Sequence, residues 1–271
     1  MGVDLDGRRL VIVGASAGIG RALAREALHA GADAVLVGRR RERLDELVAE
    51  AGRGHPVVAD LTDPAACVAL ADAARDALGT IDALVFCAGA SGLHRVRDVR
   101  YEDWRAVFDV NVIGPSVVVG SALPHIAPGG LVAFLSSESV GRPRPGLTPY
   151  SASKAALEEA IRGWRVEHPE LRFAALCVGA TNGTEFARDF DMALAAELFP
   201  TWVAHGHMAA AMMPVDEVAR ALLETVATAL AHPSVDVQGV TLRPPGPLME
   251  GSGDSLLARI DDGQSEAGSE R

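Results

Sequence analysis

The sequence predicts an α/β fold with a mostly parallel sheet covered by helices on both faces. Short apolar runs alternate with helical segments, and strands without polar alternation are typical of a sheet buried on both sides. The 271 residues fit one large domain, and 49% hydrophobic with 4% aromatic residues indicate a core of Ala, Val and Leu. Seven runs qualify as strands, namely 10–13, 34–37, 56–59, 83–86, 131–135, 172–178 and 237–242.

Turn and cap residues mark the helices between these strands. The first helix is predicted to begin near Ser16 and to end at Gly31. Asp63 and Pro64 predict an N-cap and a first-turn proline, and Gly79 follows the same helix. Later helices are predicted over 101–123, 149–167 and 214–231.

Charge and cysteine content exclude several classes of protein. A net charge of −11 argues against nucleic acid or an anionic membrane as the main partner. No targeting segment and no membrane-spanning run is evident, which predicts a cytoplasmic protein. Cys67, Cys87 and Cys177 are too few and too widely spaced for a disulfide framework or a metal site, so we expect reduced, buried thiols and no metal.

A glycine-rich turn follows the first predicted strand and reads Gly14-Ala-Ser-Ala-Gly18-Ile-Gly20. Glycines let the backbone turn sharply and approach a pyrophosphate, whose charge is favoured at a helix N-terminus. The alternative is a simple tight turn between a strand and a helix. The strand before it and the helix after it favour the dinucleotide site.

Arginines cluster after the second predicted strand, where residues 37–41 read Val-Gly-Arg-Arg-Arg. No carboxylate is present there to accept from a ribose 2′-hydroxyl. Cations at a helix start are disfavoured by a few tenths of a kcal/mol each, roughly, and a bound 2′-phosphate would offset this. The sequence therefore favours NADP(H) over NAD(H), with Arg39 and Arg40 as ligands. A solvated arginine face is the alternative, more for Arg41 and Arg43 than for Arg39.

Asp60 and Leu61 follow the third predicted strand. The carboxylate of Asp60 either accepts from the adenine amino group or caps the following turn, and the sequence leaves both alternatives open.

Tyr150 and Lys154 stand four residues apart at the start of a predicted helix, so both side chains emerge on one face. A lysine charge beside a phenol favours the phenolate, and the pair is therefore a plausible proton-transfer device. The alternative is a half-exposed tyrosine beside a solvated lysine.

Taken in order, these motifs resemble the short-chain dehydrogenase/reductase family over about residues 10–242. Asn111, in Phe-Asp-Val-Asn-Val, matches one catalytic position of that family. Ser137, in Leu-Ser-Ser-Glu, matches another and stands thirteen residues before Tyr150. The resemblance implies a single doubly wound Rossmann domain with a seven-stranded sheet. It also implies hydride transfer between a nicotinamide and a carbonyl or secondary alcohol.

The resemblance implies a role for each catalytic residue. Tyr150 gives the proton in reduction and takes it in oxidation, while Lys154 lowers the pKa of Tyr150 and binds the nicotinamide ribose. Ser137 donates to the substrate oxygen. Asn111 positions a water that connects Lys154 to solvent.

The residues expected to bind the cofactor lie mainly at the carboxyl ends of the strands. They are Gly14, Ser16, Gly18, Ile19, Gly20, Arg39, Arg40, Asp60, Leu61, Ala88, Gly89, Tyr150, Lys154, Gly179, Thr181 and Thr184.

Three positions depart from the family pattern. Cys87 replaces an asparagine that usually ties the fourth strand to its neighbours, and Val178 stands where a proline is usual. One extra residue follows Ser137, which makes Ser139 an alternative to it. We prefer Ser137 because it falls at the end of the fifth strand, where a side chain reaches the cleft.

Residues 182–213 form an insertion at the carboxyl ends of the strands, where a lid would lie. Its apolar content suggests a fairly apolar substrate, although the same residues could instead seal the core. These apolar residues are Phe186, Phe190, Leu198, Phe199, Trp202, Met208, Met212 and Met213. We interpret His205 and His207 as lid residues rather than metal ligands.

The domain is predicted to cover residues 1–249. Residues 250–271, rich in Gly, Ser, Asp and Glu, are predicted to form a flexible tail, with a short docking helix as the alternative. The resemblance associates the apolar faces of the helices 101–123 and 149–167 with a homodimer or homotetramer, although the sheet could also cover them.

The sequence is compatible with two functions. The first is an NADP(H)-dependent oxidoreductase acting on a small carbonyl or alcohol substrate. The second is a non-catalytic NADP(H)-binding regulatory or sensor protein with the same fold.

Overall fold

The computed structural model describes residues 3–246, which contain one seven-stranded sheet. Its strands run in the order β3-β2-β1-β4-β5-β6-β7, and every neighbouring pair is parallel. The strands are β1 (Arg9–Val13), β2 (Asp33–Gly38), β3 (His55–Val58), β4 (Ile81–Phe86), β5 (Ile126–Ser137), β6 (Arg172–Val178) and β7 (Gly239–Leu242).

Eight α-helices in the same residues complete the α/β architecture. They are α1 (Gly18–His29), α2 (Arg41–Ala51), α3 (Pro64–Leu78), α4 (Tyr101–Phe108), α5 (Gly114–Ala122), α6 (Thr148–Glu167), α7 (Met192–Ala204) and α8 (Val215–Ala231). The predicted doubly wound fold is confirmed.

The strands are apolar throughout because they face two cores. Leu10 and Ile12 of β1 pack into a cluster that also contains the buried side of α1 and α8. Val11 and Val13 point the other way, into a cluster with residues of α3 and α6. Successive strand side chains alternate between faces, so both faces must be apolar.

The predicted caps of α3 are confirmed. Asp63 Oδ1 accepts from the backbone N–H of Ala65 at 2.9 Å, and Pro64 is the first helical residue. Gly79 follows the helix with φ +74°, a left-handed conformation that suits glycine.

The single helix predicted over 101–123 is wrong in one respect, because a π-helical turn, Asp109–Ile113, separates α4 from α5. Pro115 explains the change. It lacks the N–H that would bond to the Asn111 carbonyl in a regular α-helix, and the Gly114 N–H instead reaches back to the Asp109 carbonyl.

The helical stretch Tyr101–His125 is long and apolar enough, by length and composition alone, to cross a membrane. This corrects the expectation that no run of the chain reaches that length. Its most apolar window has a mean hydropathy of 1.6 and is 39% buried within the fold. Val118, Val119 and Ala122 pack into the core beneath the sheet. One such helix is weak evidence for a membrane span, because a core helix has the same composition.

The 182–213 segment leaves the end of β6 and returns to the same place. A parallel bridge joins Thr181 to Met213, and the Asn182 N–H donates to the Met213 carbonyl at 3.0 Å. The segment contains α7, which the sequence did not predict and which Asp191 caps by accepting from the N–H of Ala193 at 2.9 Å.

Most of the apolar residues of this segment form a third core. It joins Phe190, Leu198, Phe199, Trp202 and Met208 to residues outside the segment, including Tyr150. The predicted tail 250–271, with its docking-helix alternative, lies outside the described residues.

Candidate active site

A cleft of about 540 Å³ opens at the carboxyl ends of the central strands. It is the place where ligands bind in open parallel sheets. All of the site residues predicted from the sequence line this cleft, except Gly20 and Asn111. The same cleft therefore contains the glycine turn, the arginine cluster, Ser137, Tyr150 and Lys154.

The glycine turn is shaped by close backbone contacts. Gly14 has φ +97°, and a Cβ there would lie 2.5 Å from the Ala88 nitrogen. A Cβ on Gly20 would lie 2.2 Å from the Gly14 carbonyl oxygen. Neither position can carry a side chain, so Gly20 shapes the turn from behind the cleft. The turn that remains leaves room for a pyrophosphate to approach the backbone, and a nicotinamide dinucleotide fits the residues present.

Ser137, rather than Ser139, lies on the cleft. Ser137 is the last residue of β5, and a side-chain hydrogen bond links it to Tyr150. Its Oγ also accepts from the Ser139 N–H at 3.1 Å. Ser139 is 1% exposed and is not among the residues that line the cleft. The extra residue after Ser137 is thus taken up by the turn.

Tyr150 is buried against the 182–213 segment. Burial raises its pKa, while the hydrogen bond with Ser137 and the charge of Arg144 act in the opposite direction. The sequence predicted a pKa lowered by Lys154, and in the structure burial reverses the sign. Phe186 packs edge-on to the Tyr150 ring, with 5.2 Å between the ring centroids. The phenol is therefore protonated at neutral pH and can act as an acid.

Lys154 lies one turn along α6 from Tyr150. Its Nζ donates to the Leu135 carbonyl at 2.7 Å, and its side chain is buried. Burial lowers the pKa of Lys154 to about 8, against a smaller opposing effect of Glu158. The amine is held at the cleft by the backbone of β5.

Asn111 is fully buried behind the cleft and makes three hydrogen bonds. Its Nδ2 donates to the Ala90 carbonyl and to Ser153 Oγ, both at 2.9 Å, and its Oδ1 accepts from the Ala90 N–H at 2.8 Å. A Cβ on Gly89 would lie 3.5 Å from Asn111 Oδ1 and 3.7 Å from Lys154 Nζ. The π-helical turn thus places Asn111 where it fixes the loop after β4, next to Lys154.

Backbone bonds supply the support that Cys87 cannot give through a side-chain amide. The N–H groups of Cys87 and Ala88 donate to the Val13 carbonyl at 2.7 and 2.9 Å, which ties the end of β4 to β1. Burial raises the pKa of the Cys87 thiol to about 12, so it is protonated. Cys67, Cys87 and Cys177 are all free thiols, but only Cys67 is fully buried, and the expectation that all three are buried is wrong for Cys87 and Cys177, which are partly exposed.

Asp60 caps a turn at the rim of the cleft. Its Oδ1 accepts from the N–H and from the hydroxyl of Thr62, both at 2.9 Å, and the backbone bond is the main cause of its lowered pKa. Both oxygens of Asp60 remain close to the cleft, and Arg39 Nη1 lies 3.9 Å from Oδ2. Arg39 is 63% exposed in its side chain and is open to a ligand.

Arg40 has a partner that the sequence did not reveal. Its Nη1 and Nη2 donate to the two carboxylate oxygens of Glu185 at 2.8 and 3.0 Å. The two residues are 145 positions apart, and no local pattern connects them.

Thr181 and Thr184 line the cleft at the start of the 182–213 segment. Thr181 Oγ1 donates to the Gly179 carbonyl at 3.0 Å, and Thr184 Oγ1 donates to the Thr181 carbonyl at 3.4 Å. A Cβ on Gly18 would lie 3.6 Å from Thr184 Cα, so this part of the segment lies directly over the glycine turn.

A buried ion pair at the substrate end was also missed. Arg144 binds Glu138, donates to the His207 carbonyl at 2.8 Å, and lies over the Trp202 ring at 5.7 Å. Glu138 directly follows Ser137, and a carboxylate at the end of a buried strand was the available signal. Of the apolar residues of the 182–213 segment singled out above, Phe186 lines the cleft.

Within residues 3–246, no group of three or more His, Cys, Asp or Glu side chains could hold a metal ion. His205 and His207 lie with ring centroids 5.7 Å apart at the end of the 182–213 segment. Burial lowers the pKa of His207.

Comparison with known proteins bears on this geometry. Residues 8–194, more than half of the chain, match the family model described as short chain dehydrogenase. An uncharacterized oxidoreductase of Staphylococcus epidermidis is 32% identical over 186 residues, which are 65% of this chain and 81% of that protein. A short chain dehydrogenase of Pseudocercospora fijiensis is 34% identical over 165 residues, 58% of this chain, and the match spans only 53% of that protein.

The fold has close counterparts among solved structures. A short chain dehydrogenase from Burkholderia cenocepacia, crystallised in complex with NADP, superposes with a TM-score of 0.76 at 28% identity. The match covers 88% of this chain and 97% of the other. Sequence, sheet order and cleft agree, and the chain belongs to the short-chain dehydrogenase/reductase family of oxidoreductases.

Proposed function

We propose that this chain is an NADP(H)-dependent oxidoreductase that moves a hydride between the nicotinamide and the carbonyl or secondary alcohol carbon of a fairly apolar small molecule. The observation that carries the proposal is the convergence of Tyr150, Ser137 and Lys154 in the cleft that also contains the glycine turn. NADP(H), when bound, supplies or accepts the hydride. The chain supplies the proton and holds the reacting oxygen.

Tyr150 is the proposed acid and base. Its raised pKa keeps the phenol protonated, as reduction of a carbonyl requires, and it lines the cleft together with Ser137. Ser137 donates to the substrate oxygen, and such a preorganised donor is typically worth on the order of 3 kcal/mol. By the family resemblance, Lys154 binds the nicotinamide ribose and passes protons between Tyr150 and a water that connects to solvent. Asn111 holds the loop that borders Lys154 and, by the family resemblance, positions a water there.

The cofactor preference rests on the arginines. Arg39 is exposed at the end of β2, and its planar guanidinium suits a 2′-phosphate. The Burkholderia relative carries NADP, which is consistent with this preference. The apolar character of the substrate is supported by Phe186 beside Tyr150.

The described residues are proposed to form one domain, with residues 182–213 as its lid. We infer a cytoplasmic homodimer or homotetramer without a nucleic-acid or membrane partner, on the basis of the net charge of −11 and the exposed faces of α4 to α6.

The test is NADPH oxidation by the purified chain with a panel of aldehydes, ketones and quinones, compared with Tyr150→Phe. We expect turnover with at least one carbonyl compound. Tyr150→Phe should lower kcat by about 10²- to 10⁴-fold while NADPH affinity changes by less than about twofold. A wild-type chain that binds NADPH and oxidises none of it would favour the non-catalytic sensor instead, and equal activity of the two proteins would remove Tyr150 from the mechanism.

A further inference from the structure

Glu185 lies among three guanidinium groups at the adenosine end of the cleft. Arg40 contacts both of its oxygens, Arg188 Nη1 donates to Oε2 at 2.8 Å, and Arg43 Nη1 lies 3.9 Å from Oε1. Burial alone would raise the pKa of Glu185, but these arginines hold it below its usual range. The carboxylate is therefore ionised at neutral pH and occupies the bidentate face of Arg40.

The position of this pair connects it to cofactor choice. Arg40 is the N-cap residue of α2, directly after β2, and its Nη2 lies 3.4 Å from the Ser16 carbonyl and 3.5 Å from Ser16 Oγ in the glycine turn. Ser16, Arg39, Arg40 and Glu185 all line the cleft. One of the two guanidinium groups proposed for the 2′-phosphate, that of Arg40, is thus already bound to an anion of the 182–213 segment.

We propose that Glu185 is a specificity-determining residue whose carboxylate competes with the cofactor 2′-phosphate for Arg40 and so weakens NADPH binding relative to NADH. This rests on the proposed NADP(H) site. A phosphate and a carboxylate both seek the planar fork of an arginine, and the two anions cannot share it without repulsion. Arg39 has only a distant partner and stays available to the phosphate.

NADH provides the reference, because it lacks the phosphate. Glu185 does not compete with NADH for Arg40. Every NADPH molecule, in contrast, must displace Glu185 from Arg40 or bind beside its negative charge. A purely structural role of Glu185, such as holding the 182–213 segment over the glycine turn, would change the affinity for both cofactors alike. The ratio of the two affinities separates the two roles.

The experiment titrates the full chain with NADPH and with NADH, following nicotinamide fluorescence, in the wild type and in Glu185→Gln. Because Gln keeps the shape and removes the charge, NADPH affinity should rise by about fivefold, the value of a partly buried ion pair, and NADH affinity should change by less than about twofold. Loss of NADPH affinity, or an equal change for both cofactors, would overturn the proposal.

Asp189→Asn is the matched control. It removes one negative charge from the same segment, but Asp189 pairs with Arg188 at 3.2 Å and has no contact with Arg40. Both affinities should stay within about twofold of the wild type. A gain in NADPH affinity equal to that of Glu185→Gln would mean that only the net charge of the segment matters, and the competition for Arg40 would be rejected.

A double-mutant cycle tests the shared partner directly. Arg40→Gln should weaken NADPH more in the Glu185→Gln background, where Arg40 is released, than in the wild type. Equal losses in both backgrounds would contradict the proposal. Arg39→Ala is a separate test of the underlying site: it should weaken NADPH far more than NADH, and equal losses there would contradict the 2′-phosphate assignment itself.

Discussion

Lys154 is a buried amine whose charge state differs between the folded and unfolded chain. Its pKa is about 8 in the fold, against an ordinary value of 10.5. Below about pH 8 the folded state therefore holds a poorly solvated charge, which lowers stability. Between about pH 8 and 10.5 the folded chain has released the proton while the unfolded chain keeps it, so the free energy of unfolding rises with pH.

Replacing Lys154 by methionine should expose this effect. The pKa difference corresponds to roughly 3 kcal/mol, so Lys154→Met is expected to be more stable than the wild type at about pH 7, by up to that amount less the lost bond to Leu135. The advantage should shrink as pH rises toward about 10. Urea unfolding of both proteins across this range measures it.

Comparing the wild type with Lys154→Met cancels the part of the pH dependence of stability that other titrating groups contribute to both proteins. Tyr150 and Cys87 have raised pKa values and lower the stability at high pH in both proteins. The charge of Lys154 lowers the pKa of Cys87, but at about 12 the folded thiol stays protonated over the pH range compared, with or without that charge. Arg162→Met, on the exposed side of α6, is a control that should give a pH-independent difference. If the stability difference between wild type and Lys154→Met were constant with pH, Lys154 would not carry a lowered pKa.

At the scale of elements, Trp202 makes two of the contacts that attach the 182–213 segment to the loop before α6. Trp202 Nε1 donates to the Pro145 carbonyl at 2.8 Å, and the Arg144 guanidinium packs over the same indole. Since Arg144 also binds Glu138, next to Ser137, these contacts join α7 to the end of β5. The proposed lid, residues 182–213, is therefore held in a fixed position relative to Ser137, the proposed hydrogen-bond donor to the substrate.

Trp202→Phe should loosen this attachment. Loss of the hydrogen bond and of part of a buried ring should lower the free energy of unfolding by about 1 to 3 kcal/mol. It should also raise the KM of the carbonyl substrate while leaving NADPH affinity within about twofold, because no contact with the glycine turn is lost. Urea unfolding and cofactor titration measure the two effects.

Trp104→Phe on α4 is the matched control for Trp202→Phe. Trp104 is partly exposed and contacts Phe108, so its replacement should cost less than about 0.5 kcal/mol. Equal destabilisation by the two replacements would contradict the attachment through Trp202.

The strands were predictable because their signal is local. β1 to β4 lie within two residues of the apolar runs, and Ser137 ends β5 where the motif placed it. The π-helical turn was not predicted. A proline such as Pro115 removes one backbone hydrogen bond of an α-helix, but it does not determine which hydrogen-bond register replaces it. Helix α7 was missed since its apolar residues follow no clear period and Pro200 lies inside it.

The site was predictable to the same degree. Sequence order fixed the positions of the glycine turn, Ser137, Tyr150 and Lys154. The partners of Arg40 and Arg144 depend on which loops the fold brings together. The direction of the Tyr150 pKa shift depends on burial, which outweighs the opposing effects of Ser137 and Arg144 and cannot be read from spacing.

At the scale of the whole molecule, α4 and the π-helical turn present apolar side chains to solvent. Tyr101 and Ile113 are 68% and 48% exposed. Exposed large apolar side chains are typical of surfaces that bind a partner, and we expect a second copy of the chain to cover these two.

The double variant Tyr101→Glu/Ile113→Glu should therefore be monomeric, because it places charges in the proposed contact. Light scattering after size exclusion measures the mass, which should fall to that of one chain while NADPH affinity persists. Val235→Glu, another exposed apolar position outside these helices, should leave the oligomer intact. A wild-type chain that is already monomeric would contradict the proposed assembly.

The bridge between Thr181 and Met213 closes the 182–213 segment at its base. Because the two ends lie side by side, the length of chain between them can differ without changing the distance that the segment spans at the sheet. The same segment supplies Phe186 beside Tyr150 and Glu185 on Arg40, so exchanging it for a relative's segment between these two points should change substrate choice and cofactor preference together.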